Sequence, residues 1–212
     1  MSNIITIHTI GDSHCNYGFH RVNIPNVRIR MNRLRSRLMY SVGRDGLEIL
    51  DLSKPEYKIN SGDIVIVSYG EIDARKGIRM HLKSLDTDEY KENINNIVNN
   101  FFKVLNQNVK ILPNTQCCVF NIIPPTKNTG KLEKLEGFTE EIDSLRLKHT
   151  LYMNQELKRM CSFFKSYKYI FFDVYNKYAD KEGYLKEMFV HDGLHIVNPI
   201  YYTEFIKNRL LK

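Results

Sequence analysis

Three short polar segments hold the residues whose types and spacing can do chemistry. Gly11-Asp12-Ser13-His14 closes an apolar run near the start of the chain, and Tyr69-Gly70-Glu71-Ile72-Asp73-Ala74-Arg75 closes another. His191-Asp192-Gly193-Leu194-His195 precedes the last stretch with helical patterning. A serine hydroxyl is a poor nucleophile near neutral pH and needs a base within hydrogen-bonding distance to take its proton. Histidine suits that task because its pKa lies near working pH. A carboxylate on the far ring nitrogen fixes the tautomer and stabilises the imidazolium that forms. Asp192 and His195 are three residues apart, so a single turn brings the carboxylate back onto the imidazole, and Gly193 between them eases that turn. Ser13 follows a glycine and an aspartate, where a tight turn exposes the hydroxyl and aims the backbone N–H inward. The chemistry these residues point to is acyl transfer, with Ser13 as nucleophile, His195 as base and Asp192 as its support.

Such a site needs a frame that brings distant segments to one edge. Four continuous apolar runs, 4–10, 64–69, 118–123 and 169–174, read as buried parallel strands, because strands covered on both faces lose the alternation of a half-exposed sheet. A fifth strand is expected near 27–29, in a stretch that also carries arginines. Between the runs lie helical patterns: one follows Asp88 and reaches Leu105, with Asp86, Thr87 or Asp88 as its cap. Another spans about 139–164, with Ile142, Leu145, Leu151, Leu157 and Phe164 among its apolar positions. A third runs from Pro199, placed in its first turn, to Leu211. Alternating strands and helices predict a three-layer α/β/α sandwich around a mostly parallel sheet, with a flavodoxin-like arrangement. Reactive groups in such sheets gather at the carboxyl ends of strands, which is where all three polar segments fall.

In order and content these segments resemble the SGNH/GDSL hydrolase family, over nearly the whole chain. Gly11-Asp12-Ser13 is similar to the N-terminal block that carries the nucleophile, and Asp192-Gly193-Leu194-His195 to the C-terminal DxxH block that supplies acid and base. Gly43, in Tyr40-Ser41-Val42-Gly43-Arg44, stands where the resemblance places a glycine whose N–H lines the oxyanion hole beside that of Ser13. Gly70-Glu71-Ile72-Asp73 occupies the place of the GxND block. The resemblance implies an ester hydrolase working through a serine acyl-enzyme, with no metal and no organic cofactor. One position departs from the pattern: the block's asparagine, an oxyanion donor, is here Ile72, which has no donor to give. Loss of one such donor costs about 2.7–4 kcal/mol of transition-state stabilisation in a serine protease. Arg75 is the candidate replacement, with Glu71 or Asp73 orienting it or binding a substrate hydroxyl; the competing reading makes the three a structural salt-bridge cluster. Asp12 and His14 are expected to support the site or line its cleft.

Bulk properties bound the alternatives. The chain has 212 residues, enough for one domain with a sizeable core, and shows no repeat, linker or low-complexity tract. No apolar run approaches the roughly 20 residues of a membrane span, and the N-terminus reads as strand rather than signal peptide, so a cytoplasmic protein with reduced Cys15, Cys117, Cys118 and Cys161 is expected. Cys117 and Cys118 are neighbours in a strand and should point to opposite faces. The net charge is +7, with Arg28, Arg30, Arg33, Arg35 and Arg37 as the densest cluster. That cluster reads as a solvated basic face in preference to a nucleic-acid surface. A small-molecule or glycan ester is the expected substrate, with an acetylated carbohydrate favoured by the polar segment at 70–75. Two further readings use the same residues: transfer of the acyl group to a sugar, or a silent module binding glycan or polyanion. A binuclear metal site built on Asp12, His14, His191, Asp192 and His195 lacks the Asn-His pair such centres require. The stretch 124–140, with Gly130 and Gly137, is a candidate lid.

Overall fold

In the computed structural model, which describes residues 4–34, 37–77, 88–112, 114–127 and 140–211, five strands form one sheet. They are β1 (Ile5–Gly11), β2 (Val27–Arg33), β3 (Ile64–Ser68), β4 (Gln116–Phe120) and β5 (Ile170–Phe172). Their spatial order is β2-β1-β3-β4-β5 and every pairing is parallel. The sequence order reverses between β1 and β3, which is the place where an open α/β sheet leaves a crevice at its carboxyl edge.

The alternation of side chains across each strand divides the core in two. Ile10, Val65, Val67, Cys117 and Val119 pack on one face, and Ile7, Ile64, Ile66, Cys118, Phe120 and Phe172 on the other. Cys117 and Cys118 thus point to opposite faces, as their adjacency in a strand requires. All four cysteines are buried and free. The first face is covered by α1 (Met39–Asp45), α2 (Glu89–Ile111) and α3 (Glu140–Phe163). The second is covered by Phe19, the one-turn helix α4 (Tyr175–Tyr178) and α5 (Ile200–Phe205), whose wider turns continue through Ile206–Leu210. With both faces covered, the strands can be uniformly apolar, and β3 is buried at every position. The result is the flavodoxin-like α/β/α sandwich. Among the described residues, no helix is long and apolar enough to cross a membrane.

Several boundaries differ from the sequence reading for identifiable reasons. β2 reaches Arg33 because it is an edge strand, pairing with β1 alone, so Arg28 and Arg33 face solvent without cost. Charged side chains on an edge also discourage pairing with other molecules. Helix α2 continues past Leu105 to Ile111, since Asn108, though polar, is buried and bonded to the backbone of Leu50, Leu52 and Val104. Asp88 is the N-cap of α2 by position but its side chain makes no cap hydrogen bond, while Asp86 and Thr87 lie outside the described residues. Leu151 of α3 is exposed rather than core, and Pro199 is the N-cap of α5 rather than its first turn. Arg35 and most of 124–140 lie outside the described residues.

Candidate active site

The turn that carries Ser13 is built by the end of β1. Gly11 has φ +154°, and a Cβ there would lie 1.8 Å from the carbonyl oxygen of Ser68. Only glycine lets β1 approach the end of β3 so closely, and the Asp12 N–H then bonds the Ser68 carbonyl at 3.0 Å. Asp12 caps the short 3₁₀ turn Ser13–Cys15, accepting the His14 N–H at 2.9 Å. The Ser13 carbonyl accepts the N–H groups of both Asn16 and Tyr17, which holds the serine at the head of the turn. The Ser13 N–H has no acceptor among the described residues.

The loop 191–195 is closed by an antiparallel bridge between Val190 and Ile196 and by the His191 N–H on the His195 carbonyl. Asp192 does two things at once. Its Oδ1 accepts the backbone N–H groups of Leu194 and His195, at 3.1 and 3.0 Å, while Oδ2 meets His195 Nδ1 at 2.7 Å. Gly193, with φ +85°, allows the loop to curl around that carboxylate. His195 Nε2 lies 2.7 Å from Ser13 Oγ, across 182 positions of chain. With Nδ1–H donating to Asp192, Nε2 is left as the acceptor for the serine proton.

The electrostatics follow from burial and neighbours. Burial, then the charge of His14, lowers the pKa of His195 below its ordinary value, with Asp192 opposing. Burial raises the Asp192 carboxyl, but hydrogen bonds from the His195 ring and from the Leu194 and His195 N–H groups outweigh it and hold the carboxyl low. His14 is buried beside this pair, with its ring centroid 4.8 Å from that of His195. Cys15 is unsuited to act as a thiolate, because burial pushes its pKa up to about 12.

The second polar segment supports the site from behind. Asp73 is buried and accepts the N–H groups of Met39 at 2.7 Å and Tyr40 at 3.0 Å, so it caps α1 from across the sheet edge. Glu71 Oε1 accepts from Arg75 Nε at 2.8 Å and from the buried Arg146 at 3.3 Å. Of the two roles foreseen for Arg75, the ion pair with Glu71 is the one the geometry displays. Gly43 corrects the sequence reading. It lies inside α1, whose i→i−4 pattern takes its N–H, and a Cβ there would lie 2.9 Å from Asn100 Cβ on α2. Its glycine serves helix packing, not an oxyanion. Ile72 sits beside these residues with no donor to offer. His191 is exposed at the mouth of the loop.

Three residues with no local signature complete the surroundings. Tyr17 stacks on His195, with 3.8 Å between ring centroids. Its position one turn after Ser13 was the only available hint. The Thr126 hydroxyl donates to the Gly193 carbonyl, and Arg146 reaches Glu71 from α3. Glu71, Ile122, Thr126, Arg146, Thr150 and Leu194 line a small pocket next to the loop. Among the described residues, no three His, Cys, Asp or Glu side chains converge as a metal-binding set.

A serine, an imidazole and a carboxylate thus line up in relay at the carboxyl edge of a parallel sheet. The fold is that of the SGNH/GDSL hydrolases. The chain aligns with a platelet activating factor protein from Streptococcus pneumonia over 99% of its length and 85% of that chain, with TM-score 0.65 and 16% identity. A GDSL-like lipase from Parabacteroides merdae aligns over 100% and 98%, with TM-score 0.62 and 14% identity. A family two carbohydrate esterase from Clostridium thermocellum aligns over 99% of this chain and 65% of that one, with TM-score 0.53 and 12% identity. No protein-family model and no curated protein matches the chain.

Proposed function

We propose that this protein is a carboxylic ester hydrolase that works through a Ser13 acyl-enzyme. One observation carries the reading: Ser13 Oγ, His195 Nε2, His195 Nδ1 and Asp192 Oδ2 form a continuous relay with both contacts at 2.7 Å. His195 takes the serine proton as Oγ attacks the ester carbonyl, and returns it to the leaving alcohol. Water then follows the same route to free the acid and Ser13. Asp192 keeps Nδ1 protonated and stabilises the transient imidazolium. The Ser13 N–H, without an acceptor among the described residues, is the donor for the tetrahedral oxyanion.

The surroundings support a choice of substrate class. The pocket beside Leu194 is small and partly polar, with Glu71, Thr126, Arg146 and Thr150 among its walls. Side chains of this kind hydrogen-bond sugar hydroxyls, and an acetylated carbohydrate is the substrate we favour. The fold shared with a carbohydrate esterase supports that choice.

Active-site labelling tests the assignment. A fluorophosphonate probe should modify the native protein, and neither Ser13→Ala nor His195→Ala. Undiminished labelling of Ser13→Ala removes Ser13 as nucleophile. Release of acetate from acetylated xylan oligomers, against butyrate from the matched butyryl esters, tests the acyl preference.

A further inference from the structure

The relay of Ser13, His195 and Asp192 leaves His14 unexplained. Its side chain is only 5% exposed, and both ring nitrogens face oxygens. Nδ1 lies 3.3 Å from Asp12 Oδ1, and Nε2 lies 3.3 Å from the carbonyl oxygen of Leu194. An ionised carboxylate and a carbonyl only accept. A neutral imidazole carries one N–H and would leave its other nitrogen lone pair facing an oxygen. The doubly protonated ring satisfies both contacts.

We infer that His14 is a positioning residue held as an imidazolium, which clamps the nucleophile's turn to the base's loop and biases His195 toward its neutral, proton-accepting form. This rests on the reading of Ser13 and His195 as nucleophile and base. The clamp is direct: Asp12 and His14 belong to the turn that carries Ser13, and Leu194 is the residue before His195. One charged ring therefore ties together the two segments whose separation sets the distance from Ser13 Oγ to His195 Nε2.

The charged groups around His14 come from three elements. Asp12 lies on its own turn, Glu71 on the turn after β3, and His195, backed by Asp192, on the loop 191–195. Arg75 and Arg146 both bind Glu71 and temper its field. Burial pushes His14 down, but the hydrogen bond and charge of Asp12, with Glu71, carry it above its ordinary value. His195 is moved the other way, first by burial and then by the charge on His14. The two histidines are thus driven apart, and the working form has His195 neutral and His14 charged. Activity is lost on the acid side when His195 gains a proton and on the alkaline side when His14 loses one.

Two measurements test this. Two-bond proton–nitrogen NMR of histidine-labelled Ser13→Ala protein needs no turnover. His14 should show the imidazolium pattern at pH 7 and titrate above His195, its signals assigned by their loss in Ser13→Ala/His14→Gln. A neutral His14 ring at pH 7 overturns the inference whatever the protein hydrolyses. The second is the pH profile of kcat/KM for p-nitrophenyl acetate. In folded His14→Gln the acid limb should rise by roughly one pH unit, as expected for loss of a like charge close to a base. The alkaline limb should flatten, and kcat should fall roughly 10-fold from loosened alignment with KM little changed. Coincident profiles for native and His14→Gln protein would overturn it. An imidazolium His14 in a protein with no esterase activity would sink the proposed reaction and the positioning role together, leaving only the buried cation.

Discussion

The ring of Tyr17 lies nearly parallel to that of His195, with 3.8 Å between centroids and 20° between planes. The stack covers one face of the imidazole and restricts its rotation about the bond that aims Nε2 at Ser13. It also contributes to the burial that holds His195 below its ordinary pKa. Aromatic contacts of this kind are worth about 0.5–1.5 kcal/mol beyond the area they bury. Replacing Tyr17 by Ala should therefore lower kcat/KM roughly 10- to 100-fold through misalignment, and shift the acid limb of the pH profile upward. Tyr17→Phe keeps the ring and should stay close to native. Equal losses in the two variants would instead assign the hydroxyl a role.

Asp192 is the member of the relay most open to water, with its side chain 40% exposed. In the proposed reaction it selects a tautomer, so Asp192→Asn, which preserves shape, is the informative change. The asparagine amide can present N–H to Nδ1 and turn the ring's proton onto Nε2, where it blocks the serine. We expect kcat to fall by roughly 10³–10⁴, with the protein still folded by circular dichroism. The linkage to stability has a definite sign. The carboxyl is lower in the folded chain than its ordinary 3.8. Its contribution to stability is complete above that value and is lost as pH falls through the folded pKa. Thermal melts of native and Asp192→Asn proteins across an acid titration should converge once the pH has fallen below the folded pKa of this carboxyl.

The parts of this site that were legible from sequence are those with local grammar. Gly-Asp-Ser at the end of an apolar run and Asp-x-x-His before a helix each state their geometry in a few residues. Gly43 misled because a glycine packed between helices looks, in sequence, like one freeing an N–H. Nothing near it announces that Asn100 crosses at that point. Asp73 reads from sequence as a residue that orients Arg75, binds a substrate hydroxyl or joins a salt-bridge cluster, but its role as a cap depends on where α1 begins, 34 positions earlier in the chain. The arginines around 27–29 argue against a buried strand, and only the strand order shows that β2 is an edge. Thr126 and Arg146 reach the site from the segment that follows β4 and from α3, over separations that carry no pattern.

Asp73 makes a prediction about stability. Its carboxyl is buried and receives two N–H groups of α1, yet burial outweighs those bonds and raises its pKa to about 6. Truncation to Ala strands two donors and removes the cap, which should cost about 1–2 kcal/mol in urea melts at pH 5. Because the folded state binds the proton more tightly than the unfolded chain does, stability falls as pH rises from about 4 to 6 on account of this group. The margin of native protein over Asp73→Ala should therefore narrow across that interval. A margin that widens there would mean that the backbone bonds, not burial, set the carboxyl's pKa.

Gly11 offers the strictest test of how Ser13 is presented. A Cβ at this position would lie 1.8 Å from the Ser68 oxygen and 2.7 Å from its carbon, and both are backbone atoms of a buried strand that cannot move aside. The only relief is for the chain after β1 to lift away from β3, breaking the bond from the Asp12 N–H to Ser68. That displacement carries Ser13 away from His195, because the serine is the next residue. Gly11→Ala should thus lose at least about 3 kcal/mol of stability, as expected where strain and a lost hydrogen bond combine. Fluorophosphonate labelling should fall further than the folded fraction does. Gly62→Ala is the control, since a Cβ there meets nothing within 4 Å and only the backbone conformation opposes it. Its cost should be smaller, about 1 kcal/mol, with labelling of Ser13 intact. If the two alanine variants melt and label alike, the close approach of β1 to β3 is not what holds the serine in place.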